Sequence, residues 1–334
     1  MVMVSTECKV KYSIIIPAYN VEKYIERSIR SVMEQRVTNY ECIIVNDGST
    51  DATLEIVKNI IAREKRFKVI TQENKGLSAA RNTAIKNACG RYLIFLDSDD
   101  YLPQDALSII DREMEPNDEV VIFDYYKFVQ GQNELHKVNC NIDSLGMDKK
   151  AFLEECLSDK FYLFTVWRVV ISRAFLEKNQ LWFYEGIIHE DELWTIKSMV
   201  LSDKTRLAHG AIYCYGLGRD GTLSNLKVLK ELKDLWLIIQ ELQAFADKIE
   251  TESHDMAVII RKRCSQLYYV IIRKFCQYGT ANDLEEFEKV IRQNLSILGK
   301  NKKSYWLCKI FGISRASFLL DYIHKIREKL YERK

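Results

Sequence analysis

The chain has 334 residues, 47% hydrophobic and 29% charged, with only 3 Pro and 13 Gly, a composition that excludes a disordered or linker-rich protein and a length that fits one large α/β domain with an appendage or two small domains. A net charge of +2 leaves no electrostatic footprint for nucleic acid. Nine scattered cysteines without a C-x-x-C pair, and a segment Met1–Lys11 without an apolar core, fit reduced thiols in a cytoplasmic protein with no secretory signal.

From Tyr12 onward, short apolar runs alternate with amphipathic segments. Tyr12–Ile16, Cys42–Asn46, Phe67–Thr71 and Tyr92–Leu96 read as buried strands. Between them, Ile25, Ile29 and Val32 recur at helical spacing, as do Leu54, Val57 and Ile61 after the cap signal Ser49-Thr50-Asp51. Leu77, Ala80, Ala84 and Ala88 make a third stripe, closed by Gly90. This rhythm predicts a mostly parallel sheet flanked by helices. A fifth run, Glu119–Tyr125, adds a strand after a helix that begins near Pro103. Residues 151–215 read as mixed helix and strand, and Leu226–Ile249 and Asp255–Tyr278 as long helices.

Polar residues collect where the predicted strands end, the place where loops and helix N-termini converge in an open parallel sheet. Pro17-Ala-Tyr-Asn20 follows the first strand, Asp47-Gly-Ser-Thr-Asp51 the second, Asn74-Lys-Gly76 the third and Asp97-Ser-Asp-Asp100 the fourth. Three carboxylates within four residues repel one another, and a divalent ion with hard oxygen ligands relieves them. A solvated acidic turn capping the next helix is the competing reading. Asp47 has the chemistry to accept the N3–H of uracil, although Asp-Gly-Ser-Thr-Asp is also good turn sequence. Arg81, one turn into its helix, can meet a phosphate or a base carbonyl, or simply face solvent.

The runs Ser13–Asn20, Val45–Asp51, Asn74–Asn82 and Phe95–Asp100, in this order, resemble family 2 glycosyltransferases. The resemblance is strong over about the first 125 residues, looser over 126–225, and absent from the C-terminal third. It implies an inverting enzyme of the GT-A (Rossmann-like) fold in residues 1–225, followed by a helical region in 226–334. On this resemblance Pro17 and Tyr19 frame the nucleotide of a UDP-sugar, Asp47 and Arg81 read the base with Asn74 beside them, Asp97 contacts the ribose, and Asp99 binds Mn²⁺ or Mg²⁺ on the diphosphate. Asp100 stands behind them in support.

Inversion by a single displacement needs a base for the acceptor hydroxyl. Gly186-Ile-Ile-His-Glu-Asp-Glu192 resembles the family's Glu-Asp element, with Asp191 as the base and Glu190 orienting a glycan or lipid-linked acceptor. Acidic residues at the start of a helix over Leu193–Leu201 are also what its dipole favours. Tyr213–Ser224 resembles a loop that closes over the donor, bringing Arg219 to the diphosphate. His209, a lone histidine near a strand, stands outside this set. The resemblance implies a role in cell-surface polysaccharide synthesis. Competing readings are nucleotidyl transfer, which usually shows a Gly-rich basic first loop unlike Pro17–Asn20, and an inactive nucleotide-binding or scaffold module.

The longest apolar stretch, Phe161–Ile171, is interrupted by Arg168 and falls short of the ~20 residues that cross a bilayer. Lys300–Lys334 carries ten Lys or Arg against three Asp or Glu. From about Ser317, Leu319, Tyr322, Ile323, Ile326 and Leu330 form an apolar stripe with Lys325, Arg327 and Lys329 at its borders. A basic amphipathic helix of this kind fits the inner face of an anionic membrane, its own domain, or a partner.

Overall fold

Seven consecutive buried residues, Tyr12–Ala18, form the first strand, β1, which both neighbouring strands and both helical layers cover. A computed structural model describes residues 10–129, 135–138, 148–157, 165–217, 228–275, 282–299 and 302–331. The chain divides into two compact units, Met1–Asp220 and Gly221–Lys334.

In the first unit, β1 is followed by α1 (Ile25–Met33), β2 (Tyr40–Asp47), α2 (Thr53–Ile61), β3 (Phe67–Gln72), α3 (Leu77–Lys86), β4 (Tyr92–Phe95) and α4 (Ala106–Glu113). Every strand expected from the apolar runs is present, within a few residues of its expected ends. β3, β2, β1 and β4 lie side by side and parallel. The sheet continues through β5 (Val120–Val129), β6 (Leu135–Val138), β7 (Val169–Ser172) and β8 (Thr205–Leu217) in the order β3-β2-β1-β4-β7-β5-β6, with β8 also paired to β5. β7 is antiparallel to β4 and β5, β6 is antiparallel to β5, and β8 is parallel to β5. The sheet is therefore mixed but mostly parallel.

Helix α3 positions the site. Its buried face carries Ala79, Ala80 and Ala84, small residues that let the helix lie close over β1 and β2. The next side chains along it, Arg81 and Asn82, are then held against the ends of the strands. The remaining helices of this unit are α5 (Lys149–Cys156), α6 (Arg173–Lys178) and α7 (Glu190–Leu201). Because α7 begins at Glu190, three residues ahead of the expected start, its acidic residues occupy the first turn and do not precede it.

The second unit is helical: α8 (Val228–Ile249), α9 (His254–Phe275), α10 (Asn282–Gln293), a 3-10 turn at Leu295–Leu298, α11 (Lys303–Phe311) and α12 (Ile313–Tyr331). α8 and α9 pack along each other, burying Leu232, Ile239, Leu242, Ile260 and Ile271, and α12 packs on α9. Among the described residues no helix is long and apolar enough to cross a membrane.

Candidate nucleotide-sugar site

The four expected loops interlock. Asn20, in the left-handed region at φ 51°, donates its backbone N–H to Ser49 Oγ at 3.1 Å. Its Oδ1 accepts from the Thr50 N–H at 2.8 Å. Asp51 accepts from the Thr53 N–H at the start of α2 and from the Glu22 N–H, while Glu22 accepts from the Ala52 N–H at 2.9 Å. The first and second loops thereby cap each other. The second and third approach more closely still: Gly48 sits at φ 71°, and a Cβ there would lie 2.8 Å from the Asn74 backbone nitrogen.

Asp47 is buried and organises the third loop. Its carboxylate accepts from Gln72 Nε2 at 2.7 Å, the Lys75 N–H at 3.0 Å and the Gly76 N–H at 2.7 Å. An ionised carboxylate has about four acceptor positions, so three such bonds leave one. Pro17, Tyr19, Asp47, Asn74, Leu77 and Ser98 are among the residues lining a pocket of about 270 Å³ here. Four of the residues expected at the nucleotide thus share one cavity. Tyr19, 48% exposed, presents an aromatic ring to it.

The feature that the sequence did not disclose is the position of Arg81. It is neither at the surface nor among the residues that line that pocket. Buried to 2% exposure, it lies over the Phe183 ring at 5.2 Å and places Nη2 2.8 Å from Asp97 Oδ1 and Nη1 2.6 Å from Glu190 Oε1. Burial works against its charge, but Asp97, Glu190 and Asp191 outweigh that and hold it protonated. Its Nε is buried with no hydrogen-bond partner. Asn82 continues the bracket, donating to the Phe183 carbonyl at 2.8 Å and accepting from the Phe183 N–H at 2.9 Å.

The acidic loop is held from the other side by β8. The Tyr213 hydroxyl donates to Asp100 Oδ2 at 2.7 Å and accepts from the Asp97 N–H at 3.2 Å, and the Gly216 N–H donates to Asp100 Oδ1 at 2.9 Å. Tyr213 itself is stacked on Trp167, centroids 4.4 Å apart. Arg27 donates to the Asp99 carbonyl at 2.9 Å. Burial, followed by the charges of Asp97 and Asp99, pushes the Asp100 carboxyl up to about 6. The Asp97 carboxyl is also raised, by its enclosed setting against the pull of Arg81. The loop's donors are hard oxygens, a set that suits Mg²⁺ or Mn²⁺. Among the described residues there is no group of three or more His, Cys, Asp or Glu placed to hold a metal. An ion here would take few protein ligands and depend on a phosphate-bearing partner for the rest.

Asp191 follows Glu190 at the start of α7. The helix is entered through His189 at φ 65°, a left-handed conformation that costs a non-glycine residue energy and tends to occur at functional turns. Burial, then Glu190 and Glu192, raise the Asp191 carboxyl to about 7, with Arg81 and His189 pulling the other way. His209 is exposed on β8. Arg219 and Ser224 lie outside the described residues.

The Glycosyl transferase family 2 profile matches residues 13–177. Glycosyltransferase GlyA of Streptococcus pneumoniae is 33% identical over 223 residues, 65% of this chain and 32% of GlyA; the chain spans about a third of that relative's length. Residues 1–349 of TarS of Staphylococcus aureus, solved in complex with UDP-GlcNAc, superpose with a TM-score of 0.67 at 19% identity, covering 95% of this chain and 92% of that one. The mannosyltransferase PcManGT of Pyrobaculum calidifontis, solved with GDP-Man and Mn²⁺, gives a TM-score of 0.52 at 15% identity over 96% and 88% of the two chains. The architecture is the expected GT-A fold, with a helical C-terminal region.

Proposed function

The chain belongs to glycosyl transferase family 2, and from that premise we propose that it transfers a sugar, with inversion, from a UDP-sugar to a hydroxyl of a glycan or lipid-linked glycan in surface polysaccharide synthesis. The observation that carries the reading is the buried Arg81, which ties Asp97 of the donor loop to Glu190 beside Asp191. One guanidinium holds the two halves of a bimolecular reaction in register, the positioning that such a reaction needs most. GlyA's name and the ligands of TarS and PcManGT support the sugar chemistry and the nucleotide diphosphate donor.

In this reading Tyr19 and Pro17 frame the base, and the remaining acceptor position of Asp47 takes its N3–H. Asn74 adds a polar contact, Asp97 meets the ribose, and Arg81 holds the Asp97 carboxylate in place. Asp99, with the diphosphate, would hold Mn²⁺ or Mg²⁺, which when bound acts as a Lewis acid toward the departing diphosphate. Arg219, outside the described residues, would add charge beside the diphosphate.

Glu190, oriented by Arg81, positions the acceptor hydroxyl, and Asp191 accepts its proton. The acceptor oxygen forms its bond to the anomeric carbon as the bond to the diphosphate oxygen breaks, and the electron pair leaves with UDP. A carboxyl near 7 suits this task, because a base works best with a pKa near the working pH. The test is UDP release from a panel of UDP-sugars, with and without chelator and with and without candidate acceptors. Metal-dependent release stimulated by an acceptor supports the reading. A folded protein that neither binds UDP nor releases it from any donor contradicts it.

A further inference from the structure

The second unit turns the usual pattern of a surface helix around. On α12 the residues that face inward are Ile313, Ala316, Ser317, Leu320 and Asp321, with Ser317 Oγ donating to the Arg273 carbonyl of α9 at 3.2 Å. The larger apolar side chains face out: Phe318 is 70% exposed and Tyr322 60%, and Leu319 and Ile326 accompany them. These positions repeat at helical spacing and form one stripe.

α11 does the same. It buries Ser304, Tyr305 and Cys308 and exposes Trp306, Ile310 and Phe311, with Ile310 at 67%. Lys309 lies over the Tyr305 and Trp306 rings at 5.7 and 5.6 Å. Charge on this surface has one sign. Lys303, Lys309, Arg315 and Lys325 are exposed, whereas the single acidic residue between 302 and 326, Asp321, is buried against α9 and paired with Lys325 at 2.7 Å.

We propose that the outward faces of α11 and α12 bind an anionic lipid surface. Exposed Trp, Tyr, Phe and Ile among Lys and Arg match the headgroup boundary of a bilayer, where aromatic rings bury their apolar bodies and cations meet lipid phosphates. A protein partner of ordinary composition supplies acidic groups in places; a bilayer supplies them everywhere, and from 302 to 326 the exposed charged residues of this surface are all cations. Among the described residues no helix is long and apolar enough to cross a bilayer, and contact through this surface is peripheral in kind. The inference is independent of which sugar, if any, is transferred.

The test is flotation of the full chain with vesicles of pure phosphatidylcholine or of phosphatidylcholine and phosphatidylglycerol in equal parts. Binding is expected only to the anionic vesicles, and to weaken as salt shortens the screening length from about 10 Å at 0.1 M to about 3 Å at 1 M. Phe318→Ser with Tyr322→Ser, and separately Lys303→Glu with Lys309→Glu and Arg315→Glu, each lower the bound fraction by about a hundredfold. Melting temperature and UDP release with a soluble acceptor stay unchanged, because these side chains are exposed and outside the candidate site. Equal binding to both vesicle types, no binding to either, or unchanged binding by both variants overturns the proposal. So does sedimentation equilibrium showing a dimer that Phe318→Ser with Tyr322→Ser separates while vesicles are ignored, since the face then closes on a second copy.

Discussion

Arg81 and Glu190, 109 residues apart in the chain, meet at 2.6 Å inside the protein, and the other arm of the same guanidinium holds Asp97. This fork joins the loop that would hold a donor to the helix start that would activate an acceptor. Replacing Arg81 leaves buried carboxylates without their cation, which costs about 3–5 kcal/mol. Arg81→Met is therefore expected to lower the melting temperature markedly and to depress kcat/KM. Arg81→Lys keeps the charge but loses the fork, so it restores stability more than it restores activity. Thermal denaturation and UDP release on both variants check this; equal loss in both properties for Lys and Met would remove the geometric argument.

The Asp191 carboxyl, at about 7 against an ordinary 3.8, gives a pH profile of known sign. With the ionised form as the proposed base, kcat/KM is expected to rise about tenfold per pH unit toward about 7 and to level above it. Glu192→Gln removes a neighbouring negative charge, lowers that carboxyl, and moves the acid limb to lower pH. Stability runs the other way: the folded-state value lies above the unfolded one, so this group's contribution falls as pH rises from about 4 to about 7. Asp191→Asn should melt higher than the parent at pH 8 and not at pH 4.

Gly48 and Asn74 test the interlocked loops. Gly48→Ala meets both a left-handed φ of 71° and a backbone nitrogen at 2.8 Å, so the second and third loops must part. The expected cost is about 1–3 kcal/mol, with weaker UDP binding by calorimetry because Asp47 and Asn74 line the same pocket. Retained UDP affinity would detach this pocket from the nucleotide.

Chelation addresses the acidic loop. EDTA is expected to abolish UDP release and Mn²⁺ or Mg²⁺ to restore it, with Asp99→Asn raising the activating concentration at least about tenfold. Tyr213→Phe removes the hydroxyl that braces Asp97 and Asp100 while keeping the ring on Trp167. It should reduce turnover and lower stability by about 1–3 kcal/mol, because a buried Asp100 oxygen loses its donor. Full activity after exhaustive chelation would exclude the ion.

The parallel strands and their loops were legible because a buried strand is a local run of apolar residues and the polar residues after it stand out. Pro17, Tyr19, Asp47 and Asn74 share a cavity for that reason. Arg81 and Tyr213 were not legible as hubs, since their partners lie on other elements far along the chain and a buried arginine looks like an exposed one in sequence. α12 left its occupant open among membrane, its own domain and a partner. Its packed face uses Ile313, Ala316, Ser317 and Leu320, so the stripe through Leu319, Tyr322 and Ile326 lies at the surface. β6, β7 and β8 carry no regular rhythm because they pair antiparallel or through bulges with β5.

The most direct measurement compares UDP binding with sugar transfer in Asp191→Asn. UDP affinity is expected to stay close to that of the parent by calorimetry, with acceptor-stimulated UDP release reduced by about 10²–10⁴. Transfer within about tenfold of the parent would take the proton from some other group and contradict the central role given to this carboxyl.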